Sequence, residues 1–206
     1  MVLLIFLALL LLMRALYLVF GKKSSKNKDF VKCKTMAIFG SGGHTSEMMT
    51  LLQSLNDTYS PRVYVYAHTD HGSLKKIKTM ELNRTTNYEV ELESIPRSRE
   101  VKQSWLTTVF TTLNASFHAF YIVWKHKPDL LLCNGPGTCI PLCGAVFVFK
   151  VIFFMNTKML FVESICRVKS LSLTGQILYF MADTMLVQWK ELQERYPRTQ
   201  YIGTLM

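Results

Sequence analysis

The chain has 206 residues, half of them hydrophobic, and a formal net charge of +10. That length holds one ordinary domain plus an appendage, and the apolar share excludes a disordered chain. Much of the positive charge is a lysine run near residues 22–34, with no nucleic-acid motif beside it, so no nucleic-acid partner is expected.

Residues 1–20 (MVLLIFLALLLLMRALYLVF) carry one charge, Arg14. About 20 apolar residues span a bilayer core as a helix. Nothing basic precedes the run and no small-residue cleavage site follows it, which argues against a signal peptide. The expectation is a transmembrane anchor over 1–20, a basic linker over 21–33 placed in the cytosol by its lysines, and a folded domain over 34–206. Five cysteines, Cys33, Cys133, Cys139, Cys143 and Cys166, with no C-x-x-C, read as free thiols rather than zinc ligands or disulfides. His68-Thr69-Asp70-His71 reads as a polar loop rather than a metal cluster, and no metal is expected.

The folded part begins with an apolar run, Met36 to Phe39, that ends in Gly40-Ser41-Gly42-Gly43-His44-Thr45. A helix follows from about Thr45, with Met48, Leu51, Leu52 and Leu55 on one face. Strand, glycine turn and helix together offer unpaired N–H groups and a positive helix end to a phosphate. The turn lacks the Gly-Lys-Ser/Thr of a P-loop. Thr45 stands where a dinucleotide fingerprint has its third glycine, and no clear carboxylate ends the next strand, so a nicotinamide-dependent oxidoreductase is disfavoured. An imidazole at the helix mouth, His44, could donate to a bound anion or take a proton; the bland alternative is a surface or capping histidine.

Further on, Arg62–Ala67 (RVYVYA) reads as a strand, Gly72–Leu82 as a helix, and Tyr88–Ile95 as an alternating strand near a sheet edge. Arg97 and Arg99 in the loop after it could clamp a diphosphate. Trp105–Trp124 is the strongest helical pattern, and its stripe of Leu106, Val109, Phe110, Leu113, Phe117, Phe120, Tyr121 and Trp124 is expected to face the core, with a partly exposed stripe facing lipid as the alternative. Asp129–Cys133 reads as a buried parallel strand running into a second glycine turn, Asn134-Gly135-Pro136-Gly137-Thr138, and then a buried helix to about Phe154. Strand Lys158–Val162 ends in Glu163-Ser164, helix Leu171–Met181 and strand Thr184–Gln188 follow, and a short charged helix over Lys190–Tyr196 precedes a last strand at Tyr201–Gly203. The alternation predicts an α/β fold with a Rossmann-like, doubly wound parallel sheet. Ligands of such sheets bind beyond the carboxyl ends of the strands, where both glycine turns, the arginine loop and Glu163 all fall.

GSGGHTSEM, IPRSREVKQSW, DLLLCNGPGT and FVESICRV, in this order behind an apolar N-terminus, resemble the family of asparagine-linked glycosylation protein fourteen. The likeness covers essentially the whole chain and extends, more distantly, to the N-terminal half of the bacterial transferase that glycosylates the lipid-linked peptidoglycan precursor. It implies one half of a GT-B glycosyltransferase: the membrane-anchoring, acceptor-side subunit of an inverting UDP-N-acetylglucosamine transferase, inactive alone. Its partners would be a soluble UDP-GlcNAc-binding catalytic subunit, the acceptor GlcNAc-diphosphodolichol and the endoplasmic-reticulum membrane, with the folded domain in the cytosol. The product is the second N-acetylglucosamine, β1,4-linked. No cofactor is implied beyond the donor UDP-GlcNAc, which the partner binds. By motif position Ser41, Gly42, Gly43 and Thr45, with Asn134, Gly135 and Gly137, fall to the acceptor diphosphate. His44 is the candidate general base, and Glu163 is either a second candidate or the group that holds His44. A bare recruitment scaffold with no part in the chemistry is the alternative. The resemblance also has a bottom-up counterpart: residues 34–206 make about one domain, half of what a two-domain transferase needs.

Overall fold

The computed structural model describes residues 2–21, 32–84, 88–98, 103–135 and 137–205. Strand β1 (Thr35–Ile38) shows why the sheet is covered on both sides. Met36 and Ile38 join the core on one face, Ala37 and the following Phe39 join the core on the other, and all four are fully buried. A strand apolar on both sides belongs inside a parallel sheet. The sheet has seven parallel strands in the order β3-β2-β1-β4-β5-β6-β7, from β2 (Arg62–Ala67), β3 (Val90–Ile95), β4 (Leu130–Asn134), β5 (Lys158–Val162), β6 (Thr184–Val187) and β7 (Thr199–Tyr201). β3 lies at one edge, as its alternating pattern implied. The order reverses between β1 and β4, which pair in register from Thr35–Leu130 to Ile38–Cys133. That is the switch point at which open α/β sheets bind ligands.

Helices α2 (Gly43–Ser54) and α3 (His71–Leu82) cover one face through Met48, Leu52 and Ile77 on Phe39 and Tyr64. Helices α4 (Trp105–His126), α5 (Cys139–Ile152) and α6 (Leu173–Met181) cover the other, and α7 (Lys190–Arg195) adds Leu192 to that core. The doubly wound sheet expected from the alternation is therefore the observed fold. Cys33, Cys133, Cys139 and Cys143 are buried free thiols and Cys166 an exposed one.

Two expectations need correction. Most of the described α4 stripe faces outward: Phe110 and Phe117 are each 75% exposed, and Val109, Leu113, Tyr121 and Trp124 are also exposed, while Phe120 is half-buried against the core. The face turned to the sheet is Ala115, Ala119, Ile122 and Val123. Small alanines let the helix axis approach the sheet closely, and most of the large rings are left outside.

The second correction concerns residues 1–20. They do form a helix, α1 (Val2–Phe20), but among the described residues no helix is long and apolar enough to cross a membrane. α1 instead packs on α5 and α6. Arg14 Nε donates to the Lys150 carbonyl at 2.9 Å, its guanidinium lies 3.7 Å from the Phe154 ring centroid, and Arg198 donates to the Val19 carbonyl. The expected single-pass placement in the endoplasmic-reticulum membrane, with a cytosolic domain, is overturned with the span it rested on. Most of the basic linker, residues 22–31, lies outside the described residues.

Candidate functional site at the switch point

The site is built where β1 and β4 end. After β1 the chain turns through Gly40–Gly43 and enters α2. Gly42 caps that helix at φ +66°, a left-handed conformation that suits glycine. The buried Thr45 hydroxyl donates to the Gly40 carbonyl and lies 2.7 Å from Ser73 Oγ, so it braces the turn from behind. Ser41, Gly42 and Gly43 form the exposed rim. After β4 the second turn passes Gly135, at φ +61°, and Gly137 before α5 begins. A side chain built at Gly42, Gly43 or Gly137 would meet nothing within 4 Å among the described residues, which leaves open space ahead of both helix starts.

The two turns are joined. Asn134, fully buried at the end of β4, donates from Nδ2 to the His44 carbonyl at 2.8 Å and to Glu47 Oε2 at 3.3 Å. Its Oδ1 is buried without a hydrogen-bond partner among the described residues. The His44 ring lies against the Gly135 backbone: a Cβ there would come within 2.2 Å of His44 Cε1 and 2.6 Å of Nδ1. Only glycine leaves room for the imidazole. The ring edge faces a carboxylate, with Nδ1 3.3 Å from Glu47 Oε2, while the side chain stays 31% exposed.

Glu47 did not figure among the sequence candidates. It is 2% exposed, and its other oxygen accepts from Ser164 Oγ (3.1 Å) and Ile165 N (3.0 Å), in the loop after β5. Burial works to raise its pKa, but the hydrogen bonds from His44, Ile165 and Ser164 win, and the carboxyl sits below its ordinary value. The available signal was spacing: Glu47 follows His44 by three residues, which puts both on one side of α2.

Glu163 does not hold His44. Its Oε2 accepts from Ser172 N (2.9 Å) and Ser172 Oγ (3.1 Å), and its Oε1 from Ser164 N (3.1 Å). Ser172 caps α6 by accepting from Gly175 N at 2.9 Å. Burial is the largest influence on Glu163 and raises its pKa, against those hydrogen bonds. It is a brace between β5 and α6. A buried carboxyl without a free oxygen is poorly placed to reach an acceptor, and the candidate base is His44.

Arg97 is half-buried in the loop after β3, which is tied to α4 by Thr111 and Thr112 hydroxyls donating to the Ser98 carbonyl. It stands on the same rim as the glycine turns, but two strands away from β1. Arg99 lies outside the described residues. The described His, Cys, Asp and Glu side chains that come near enough to share an ion are Glu91, Glu93 and His126, at the far edge by β3. There His126 Nε2 and Lys125 Nζ both meet Glu93, an ion-pair arrangement remote from the switch point.

With this geometry in view, the chain was compared with known proteins. Residues 35–205 match the family model described as "Oligosaccharide biosynthesis protein Alg14 like". The rat UDP-N-acetylglucosamine transferase subunit ALG14 is 47% identical over 177 residues, which cover 83% of this chain and 82% of the relative. The mouse protein of that name is 44% identical over 204 residues, covering 96% and 93%, and the fission-yeast (Schizosaccharomyces pombe) one 43% over 185, covering 88% and 87%. Among solved structures, Acinetobacter baumannii MurG superposes with a TM-score of 0.55 at 17% identity, covering 76% of this chain and 41% of that one. A putative UDP-N-acetylglucosamine 2-epimerase from Listeria monocytogenes gives 0.56 at 17% identity, covering 81% and 42%. The chain thus spans under half of each of these solved chains, and the likeness is one of fold. By its family model and by relatives matched over most of their length, the chain belongs to the Alg14-like family of oligosaccharide biosynthesis proteins.

Proposed function

We propose that the chain is the acceptor-side subunit of an inverting UDP-N-acetylglucosamine transferase, inactive until a second subunit brings the UDP-GlcNAc site against its switch-point crevice. The acceptor is GlcNAc-diphosphodolichol, and the product carries a second, β1,4-linked N-acetylglucosamine. The observation that carries this reading is the Asn134–His44 hydrogen bond, which fastens two glycine turns side by side with open space before them. The start of α2 offers N–H groups and a positive dipole end to a diphosphate, with Ser41, Gly42 and Gly43 at its edge. Gly137 and the start of α5 face the same crevice. A two-subunit enzyme is supported by the relatives, which are named as transferase subunits.

In the transfer, the His44 imidazole takes the proton of the acceptor 4-hydroxyl as its oxygen attacks the sugar C1 from the face opposite UDP. The C1–O bond to the diphosphate breaks, the new C1–O bond forms, and UDP leaves. A positioned base of this kind contributes about 10²- to 10⁴-fold. The test is the full-length chain co-purified with its UDP-GlcNAc-binding subunit and assayed on a short-chain diphosphate-linked GlcNAc lipid. His44→Gln is expected to cut kcat by about 10²-fold or more, with KM for UDP-GlcNAc little changed. An unchanged kcat removes His44 from the chemistry. Transfer at the full rate by the other subunit alone makes this chain a recruitment scaffold.

A further inference from the structure

We infer that Glu47 is the positioning residue of His44: it fixes which ring nitrogen carries the proton and leaves the other free to accept one. The inference rests on the reading of His44 as the base, and goes beyond it by assigning a role to a carboxylate three residues away.

An ionised carboxylate only accepts, with about four lone-pair positions. Glu47 faces four groups: Ser164 Oγ and Ile165 N at Oε1, Asn134 Nδ2 and His44 Nδ1 at Oε2. The Ile165 N–H and the Asn134 amide, as oriented, can only donate. The pattern is complete if His44 also donates, so in the neutral imidazole Nδ1 carries the hydrogen and Nε2 keeps its lone pair. The Gly135 backbone supports the face of the same ring, so the ring is held both on its edge and on its face.

Glu47 is itself held by elements distant in sequence. Ser164 and Ile165 come from the loop after β5, and Asn134 from the end of β4. Among the described residues, the charged group paired with the His44 ring is Glu47, on its own helix; Asn134 and Gly135 are the neutral neighbours from β4 and its turn. On the neighbouring helix α3, Lys76 Nζ donates to Ser46 Oγ at 3.4 Å.

Substituting glutamine shows what the charge does. In Glu47→Gln the Ile165 N–H still needs an acceptor, so the amide oxygen turns toward it and the NH₂ turns toward His44. Nδ1 must then accept, and the ring hydrogen moves to Nε2, the nitrogen that was to take the proton. The full-length complex with its UDP-GlcNAc-binding subunit is assayed as wild type, Glu47→Gln, His44→Gln and the double variant, with thermal melts to confirm folding. Glu47→Gln is expected to lower kcat by about 10²-fold with KM for UDP-GlcNAc within about threefold, and to change kcat less than about threefold in the His44→Gln background. Long-range proton–nitrogen spectra of the histidine-labelled chain are expected to show Nδ1–H at His44 in the wild type and Nε2–H in Glu47→Gln, the signal being assigned by its loss in His44→Gln. Equal losses in both backgrounds, or an unchanged tautomer, overturn the positioning role and leave Glu47 a structural clamp. A wild-type kcat in His44→Gln instead overturns the base reading, while the spectrum still decides whether Glu47 sets the tautomer.

Discussion

Glu47, near the start of α2, and Glu163, at the end of β5, lie in the same rim, both almost fully buried, and their networks touch at Ser164. Ser164 Oγ donates to Glu47 and Ser164 N to Glu163. One carboxylate faces an imidazole with an exposed edge; the other caps a capping serine. One is held below its ordinary pKa and the other above it. The difference teaches that burial does not by itself make a carboxylate functional. What it touches decides: for Glu47 an imidazole partly open to solvent, for Glu163 a buried serine that caps a helix.

The sharpest way to break that contrast is to remove the seat of the imidazole without touching either acid. Gly135→Ala places a methyl inside the His44 ring and puts alanine at φ +61°. The backbone cost is about 1–2 kcal/mol, whereas the displaced base is expected to cost about 10²-fold or more in kcat. Gly144→Ala, in the body of α5 where the new methyl meets no described atom within 4 Å, is the control, with kcat expected within about threefold. Equal rates for the two variants would mean that the ring position does not matter.

Next in size is Glu163→Ala. It leaves the buried Ser172 and Ser164 N–H groups without their acceptor, each at about 1–3 kcal/mol. In a chain of this size each kcal/mol lowers Tm by about 2–4 °C. The melt is expected to drop by about 5–15 °C, with kcat per folded molecule nearly unchanged. A kcat collapse with an intact melt would restore Glu163 to the chemistry and erase the distinction between the two acids.

The two acids should also leave opposite marks on stability against pH. Glu47 has a depressed folded pKa, so its contribution is present above its unfolded value, near 4.5, and is lost as pH falls through the folded value. Glu163 has a raised folded pKa, so its ionisation is disfavoured in the fold. Relative to a non-titrating glutamine, it therefore gains stability as pH falls from the folded value toward 4.5. Urea midpoints of wild type, Glu47→Gln and Glu163→Gln between about pH 3 and pH 7 are expected to narrow the first difference on acidification and move the second in favour of wild type. Parallel curves would refute the opposed environments.

These residues also show where sequence reading stops. The bounds of β2, Arg62–Ala67, were legible because six β-branched, aromatic and flanking residues can do little else. Helix α4 was legible from the three- and four-residue spacing of its apolar stripe, but most of that stripe turned out to face outward. Periodicity reveals a stripe and not which side is covered, and two alanines outcompeted the aromatics for contact with the sheet. The glycine turns and His44 were visible as local patterns. Glu47 was not, because its partners Ser164 and Ile165 lie more than a hundred residues away and meet it only once β4 and β5 are in register with β1. Glu163 was correctly placed at a strand end, but its side chain turns toward α6.

The smallest expected effect concerns Arg97, the remaining described cation proposed for the diphosphate. It shares the rim with the α2 start but stands two strands from β1, half-buried in a loop pinned to α4. A guanidinium there can reach only the outer part of an anion seated at Gly42 and Gly43, through solvent that screens it. Such a contact is worth about 1 kcal/mol or less. Arg97→Ala is therefore expected to raise KM for the diphosphate-linked acceptor by about two- to fivefold and leave kcat unchanged. Added salt should shrink the difference, since the interaction is exposed. A fall in kcat comparable to that of Gly135→Ala would mean that Arg97 meets the reacting sugar, and that the crevice extends across β2 to the sheet edge.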